Sequence, residues 1–245
     1  MGPTLRKLAV ALLALGAAGC GTTTTSPSQT GQDPNDPYEA TNRQVFALNQ
    51  KLDKYVALPV AKFYVDTVPD VARDGVHNFL DNLEVPITFG NDVLQGAADH
   101  AADSLGRFII NSTVGAVGLI DVAQKIGARE HEADFGETLG VWGVGPGPYL
   151  VLPVLGPSDP RDAVGYGVDI AMDPLTWISW RSSTYYLLGR GVMKVVDVRA
   201  QNIDTLNEIE RTSVDEYATL RSLYRQHREA EIHGGKPDLE NLPNF

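Results

Sequence analysis

Four side chains able to ligate a metal, Glu130, His131, Glu132 and Asp134, fall within one short stretch of this 245-residue sequence. Such a group could hold an ion. It lacks the H-E-x-x-H spacing that sets two imidazoles on one helical face, so a solvated acidic turn is the better reading. His77, His100 and His227 are dispersed through helical patterns and His233 lies near the tail; each is most simply a surface or satisfied group. No G-x-S-x-G elbow occurs, and Ser158, in Gly-Pro-Ser-Asp-Pro, reads as a helix cap. Gly143-Val144-Gly145-Pro146-Gly147 could be taken for a phosphate cradle, but Pro146 and Pro148 remove amide donors and no lysine follows. The convergent reactive groups of an enzyme are missing, and the expectation is a non-enzyme with no catalytic residue, no metal and no dissociable cofactor. What recurs instead is the neutral amide: Asn42, Asn49, Asn78, Asn82, Asn91 and Asn111. These could hydrogen-bond helix ends. They could equally line a passage that accepts a polar head group without retaining it, as a ring of charges would.

One stretch departs from ordinary soluble sequence. Between Thr138 and Pro157 there is no charged side chain, yet five glycines and four prolines interrupt it, which rules out a membrane-spanning helix and leaves a loop or short hairpin. Trp142, Tyr149, Leu150, Val151, Leu152, Val154 and Leu155 in that loop must find a dry environment, in a core or against something the protein touches.

The only thiol is Cys20. Ahead of it stand Arg6 and Lys7, an apolar run from Leu8 to Leu15, and the small residues Gly16-Ala17-Ala18-Gly19, the pattern of a secretory signal too short to span a bilayer. Small residues running into a cysteine resemble a bacterial lipobox. The expectation is a signal peptide over 1–19 and a mature chain that begins at Cys20 carrying covalent diacylglycerol and N-acyl (palmitate-type) lipid, with several acyl chains giving a stable anchor. Gly21 after the cysteine, rather than Asp, favours the outer membrane by resemblance to bacterial lipoproteins. The formal net charge of −11 argues against nucleic acid and against adhesion to an anionic surface.

The elements that would position these groups are mostly helical. Residues 20–35 form a polar, flexible tether. Asp36-Pro37-Tyr38-Glu39 predicts a capped helix start, with the helix running to about Val56 and broken by Pro59. Val45, Leu48, Leu52 and Tyr55 make one stripe of it; Asn42, Phe46, Asn49 and Asp53 make a second, mixed one. A helix from Pro69 should close before Pro86, with a short turn to a C-cap at Gly96 and a further helix over 97–112. Asp134 and Asp159 predict helix starts. A turn from Pro174 through Trp177 and Trp180 precedes the two longest periodic segments, 183–207 and 213–232. In the last, Val214, Tyr217, Leu220, Leu223 and Tyr224 share a face while Asp215, Glu216, Arg221, Arg225 and Arg228 point away. The tail, 234–245, has no period. The fold class is all-α, a single domain over 36–233 of amphipathic helices with Gly/Pro-rich loops and at most one short hairpin.

Taken together, DPYEATNR from Asp36, PVAKFY from Pro59, NFLDNLEVP from Asn78, NDVLQG from Asn91, RFIINSTVGAVGLIDVA from Arg107 and FGETLGVWGVGPGPYLVLPVLGPSDPRD from Phe135 resemble the VacJ-like, MlaA-type outer-membrane lipoproteins. The resemblance is collinear over roughly Asp36 to Asp173 and implies retrograde phospholipid transport that maintains outer-membrane lipid asymmetry. It implies a ring-like arrangement of helices on the periplasmic side of the outer membrane, associated with a trimeric porin, enclosing an amphipathic passage and handing phospholipid to a soluble periplasmic MlaC-like carrier. On that reading Asn42, Asn49, Asn78, Asn82, Asn111, Gly143, Gly145, Gly147 and Tyr149 would edge the passage. The competing reading is an envelope scaffold or assembly lipoprotein that binds porins without moving lipid.

Overall fold

Helix α1 (Glu39–Leu52) does not stop at Pro59. A π-helical turn, Asp53–Ala57, carries it into α2 (Leu58–Thr67). The Leu58 N–H reaches back to the Asp53 carbonyl, five residues away, and this widened turn seats the proline ring at the start of α2, where its missing donor does no harm. Pro86 likewise breaks nothing. It lies inside α3, a continuous 26-residue helix, Asp70–Gln95. A proline in a helix interior costs about 3 kcal/mol, which here is offset by packing along α4 (Ala98–Thr113) and α9 (Ser183–Gln201). The hinge between α3 and α4 follows expectation: Gly96 takes the left-handed conformation (φ +74°) while Ala97 N–H closes on the Asp92 carbonyl at 2.9 Å. A side chain would strain that backbone.

This computed structural model describes residues 35–177 and 183–234. The signal segment, Cys20, most of the tether, Trp180 and nearly all of the tail lie outside the described residues. Those described belong to one compact unit, Asp33–Phe245. After α4 come α5 (Val122–Lys125) and α6 (Phe135–Val141). The hairpin follows, β1 (Leu150–Leu152) antiparallel to β2 (Gly156–Ser158), with Val151 opposite Pro157. Then come α7 (Pro160–Met172), α8 (Pro174–Trp177), α9, α10 (Ile203–Thr212) and α11 (Glu216–Ile232).

Caps account for several boundaries. Asp134 accepts from Glu137 N–H and Asp159 from Asp162 N–H, each at 2.8 Å, as the sequence predicts. Ser158 does not cap; it sits in β2, and the cap is Asp159. Asp36 is not a cap either, since α1 begins at Glu39 without a side-chain cap and Asp36 is fully buried. Asp215, rather than Ser213, opens the last helix, and the periodic run from 183 divides at Asn202. Close approach of α6 and α7 depends on glycine, because a Cβ on Gly165 would lie 2.3 Å from the Gly136 nitrogen.

The interior is polar. Among the described residues nine apolar side chains are buried, four of them alanines, against 17 polar or charged ones. The largest apolar group is Tyr149, Val151 and Tyr217 with Val45, Phe46 and Tyr224 around them. The expected inner face of α11 is therefore partly reversed. Val214 falls before the helix and is fully exposed, and Leu223 within it is exposed too, whereas Arg228 turns inward to Asp134 and Asp162, both at 2.7 Å. In α1 and the π-helical turn after it the mixed stripe faces the protein and Leu48, Leu52 and Tyr55 face out.

Candidate functional site

Large apolar side chains cover much of the outside. Tyr55 is 72% exposed, Phe63 69%, Val71 84% and Tyr185 79%. The pattern is periodic: on α9 the exposed residues Tyr185, Leu188, Val192 and Val195 share one helical face, while Lys194 and Asp197 on the other pair with Asp81 and His77. A helix with an outward apolar stripe and an inward polar one is built to lie in a bilayer interface. No helix among the described residues is long and apolar enough to cross a membrane.

The glycine-rich loop lies open. Residues 141–147 are all exposed, with Gly143 and Gly147 in the left-handed region, at φ +89° and +78°. Trp142, just before it, donates from Nε1 to the Leu94 carbonyl at 3.1 Å and meets Phe135 edge to face. That fixes the loop beside the C-terminal end of α3.

The hairpin that follows is clamped by two amides seven residues apart on α1, hence on one face. Asn42 Nδ2 donates to the Asp36 carboxylate and to the Tyr149 carbonyl, both at 2.9 Å, and Asn42 Oδ1 accepts from Val151 N–H at 3.0 Å. Asn49 repeats the device, donating to the Leu152 carbonyl (2.9 Å) and accepting from Val154 N–H (2.8 Å). Tyr149 is 2% exposed, with its ring against Tyr217 and Tyr224; burial beside Asp36 pushes its phenol up to about 12. Its side chain packs the hairpin root and faces no opening.

The other amides also close on backbone. Asn111 Oδ1 accepts from Val122 and Ala123 N–H, both at 2.9 Å, and so holds the start of α5. Asn91 donates to Asp169 and the Ala133 carbonyl, and Asn78 to the Leu119 carbonyl. Asn82 donates to Ser112, yet its Oδ1 is buried without a partner. Of the residues expected to edge a passage, the structure thus groups Asn42, Asn49 and Tyr149 at the hairpin, leaves Gly143, Gly145 and Gly147 exposed, and sets Asn78, Asn82 and Asn111 along the α3–α4 seam.

A cavity of about 480 Å³ opens where α2, the first turns of α3 and the end of α9 meet. Tyr64, Asp70, Arg73, Asp74, His77 and Asp197 line it. Tyr64 Oη and Arg73 Nε are buried there without hydrogen-bond partners, although the Arg73 guanidinium also pairs with Asp70. Orphan donors beside a polar cavity call for an acceptor from outside the chain. His77 is held up at about 9 chiefly by its bond to Asp81, with Asp197 adding. At 1.5 Å per residue, the roughly 20 residues of α3 between this cavity and Leu94 put about 30 Å between it and the glycine loop. Sequence alone gave no sign of the cavity, because its residues come from three separate helices.

Other polar clusters are structural. Asp162 accepts from Arg161, Tyr224 and Arg228, joining α7 to α11. Glu137 is pushed up to about 7 by burial, with Asp134 and Glu231 adding to it and Arg228 opposing. Ser104, His131 and Asp92 meet, but not as a hydrolytic triad. Asp92 and Ser104 both approach the same His131 nitrogen, and the Ser104 hydroxyl donates to Asp92 at 2.6 Å. A nucleophile of that class needs its acid on the opposite ring nitrogen.

A family model described as MlaA lipoprotein matches residues 34–231. The intermembrane phospholipid transport system lipoprotein MlaA of Escherichia coli (strain K12) is 35% identical over 245 aligned positions, covering 97% of this chain and 94% of that one. The protein of the same name from Shigella flexneri matches to the same extent. An uncharacterized protein of Rickettsia bellii is 38% identical, covering 80% of this chain and 76% of its own. A solved structure, from work on the structural basis for maintenance of bacterial outer membrane lipid asymmetry, superposes with a TM-score of 0.72 at 36% identity, covering 80% of this chain and 98% of that one.

Proposed function

Because this chain belongs to the MlaA lipoprotein family, we propose that it moves phospholipid between the outer membrane and the periplasm and so maintains the lipid asymmetry of that membrane. The observation that carries this reading is the inverted burial: apolar stripes outside, a hydrogen-bonded polar interior within. Acyl chains would lie along the exposed faces of α2, α7 and α9. A head group would enter the polar cavity, where Tyr64 Oη and Arg73 Nε can donate to its phosphate.

Within this reading, diacylglycerol and N-acyl lipid on Cys20 hold the folded unit at the periplasmic face. A trimeric porin supports it, and a soluble periplasmic carrier exchanges phospholipid with it. The loop of Gly143, Gly145 and Gly147 edges the passage, and Asn82, with its unpartnered Oδ1, offers an acceptor nearer the α3–α4 seam. Asn42, Asn49, Asn111 and Tyr149 serve that passage indirectly, by holding the hairpin and α5 in place. No step calls for bond making or breaking in the lipid.

The test is removal of the gene from its own bacterium and labelling of surface phospholipid with an amine reagent that cannot cross the membrane. Surface label should rise and fall back on expression of the intact chain, but not of a Cys20→Ser variant. Surface label unchanged by the deletion would favour the scaffold reading instead.

A further inference from the structure

Asp92, His100 and His131 come from the last turns of α3, the start of α4 and the irregular segment before α6. One ligand atom from each lies within 4.8 Å of the other two. We propose that these three side chains form a site for a divalent transition-metal ion of the zinc type, with water as the fourth ligand, that fastens segment 128–134 to the α3–α4 hairpin. This proposal rests on side-chain geometry and does not depend on the transport reading.

The separations suit such an ion. His131 Nε2 stands 3.0 Å from each Asp92 oxygen. Two ligands sharing a tetrahedral zinc at bond lengths near 2.0 Å are about 3.3 Å apart, so an ion could replace the proton between them with a shift of a few tenths of an ångström. Asp92 is buried and its carboxylate is oriented by the Ser104 hydroxyl at 2.6 Å, the outer support that metal-ligating carboxylates require. His100 is exposed, and its ring lies 4.6 Å from that of His131 at 39°. Rotation of that side chain completes the set and leaves a way in from solvent. An Asp92–His131 ion pair explains two of the three groups; the second imidazole is one that pair does not need. Two imidazoles and one carboxylate select zinc, cobalt, nickel or copper over calcium and magnesium, which prefer all-oxygen shells.

The experiment uses the full chain, purified without a histidine tag, stripped with a chelator and titrated with Zn²⁺ by calorimetry, with Mg²⁺ as control. One Zn²⁺ per chain should bind, with no uptake of Mg²⁺, and Co²⁺ should give the visible absorption of a four-coordinate ion. His100→Ala, which removes an exposed ring and leaves the metal-free melting temperature unchanged, should weaken Zn²⁺ binding at least tenfold and abolish the rise in melting temperature that Zn²⁺ causes. His131→Ala should do the same. If no Zn²⁺ binds, or His100→Ala binds it as tightly as the parent chain, the site is only an ion pair and the proposal fails.

Discussion

Replacement of Asn42 by alanine tests how the hairpin is held. The substitution removes three hydrogen bonds from a side chain that is 3% exposed. A typical bond contributes about 1 kcal/mol net, and each buried partner left unpaired adds about 1–3 kcal/mol. Val151 N–H and the Tyr149 carbonyl are both stranded, and water entering the vacated space recovers part of the cost. The expected loss is about 3–4 kcal/mol. Asn49→Ala is the internal comparison: it removes two bonds, and its partner Val154 is exposed, so water replaces what is lost and the cost should be about 1 kcal/mol. Urea unfolding of the detergent-solubilised chain measures both. Hydrogen exchange at the Val151 amide locates the effect, since 3 kcal/mol corresponds to exchange faster by about 100-fold at a locally opened site. A loss below about 1 kcal/mol for Asn42→Ala, or equal losses for the two variants, would refute the clamp.

Further outcomes follow from glycine packing and from burial of charge. Gly165→Ala should lower stability by about 1–3 kcal/mol, because its Cβ would meet the Gly136 backbone. Gly167→Ala, two residues on in the same helix with open space around it, should instead raise stability by about 0.5–1 kcal/mol; thermal melts that rank the two the other way would contradict the α6–α7 contact. Glu137 is raised from 4.5 to about 7 in the fold. Protonation therefore favours the folded state, and the parent chain should lose stability as pH rises from 4.5 through 7, by on the order of 3 kcal/mol at full ionisation. The gap between Glu137→Gln and the parent should open across that window and level off by about pH 8. Parallel stability curves for the two would mean that the Glu137 carboxylate is well solvated.

Local signals in the sequence were the dependable ones. Asp134 and Asp159 cap helices and Gly96 ends one, since capping involves only the neighbouring backbone. The two prolines misled for a related reason. Their cost is local, but the π-helical turn that accommodates Pro59 has no sequence signature, and the packing that offsets Pro86 comes from elsewhere in the chain. The facing of α11 departs from expectation because the usual rule, apolar inward, is reversed over much of this protein: Leu223 is out and Arg228 is in. The amides stand out in the sequence by their recurrence. The partners of Asn42 and Asn49, hairpin carbonyls and amides more than 100 residues away, do not show in that recurrence. His100 reads as dispersed and His131 as part of a solvated acidic turn, because most of α4 and the segment after it separate the two in sequence; only the fold brings their rings together.

The outward apolar stripes carry the account, and their surroundings can be measured directly. Single cysteines placed at Phe63, Val71 and Leu188, with Lys51 as an exposed polar control, would be labelled with an environment-sensitive fluorophore in the full chain reconstituted in phospholipid vesicles. Quenching by bromine-labelled acyl chains and protection from aqueous iodide at the three apolar positions, with the reverse at Lys51, is the expected result. Iodide quenching at Phe63, Val71 and Leu188 equal to that at Lys51 would mean that those faces meet water, and phospholipid would have no apolar surface to follow.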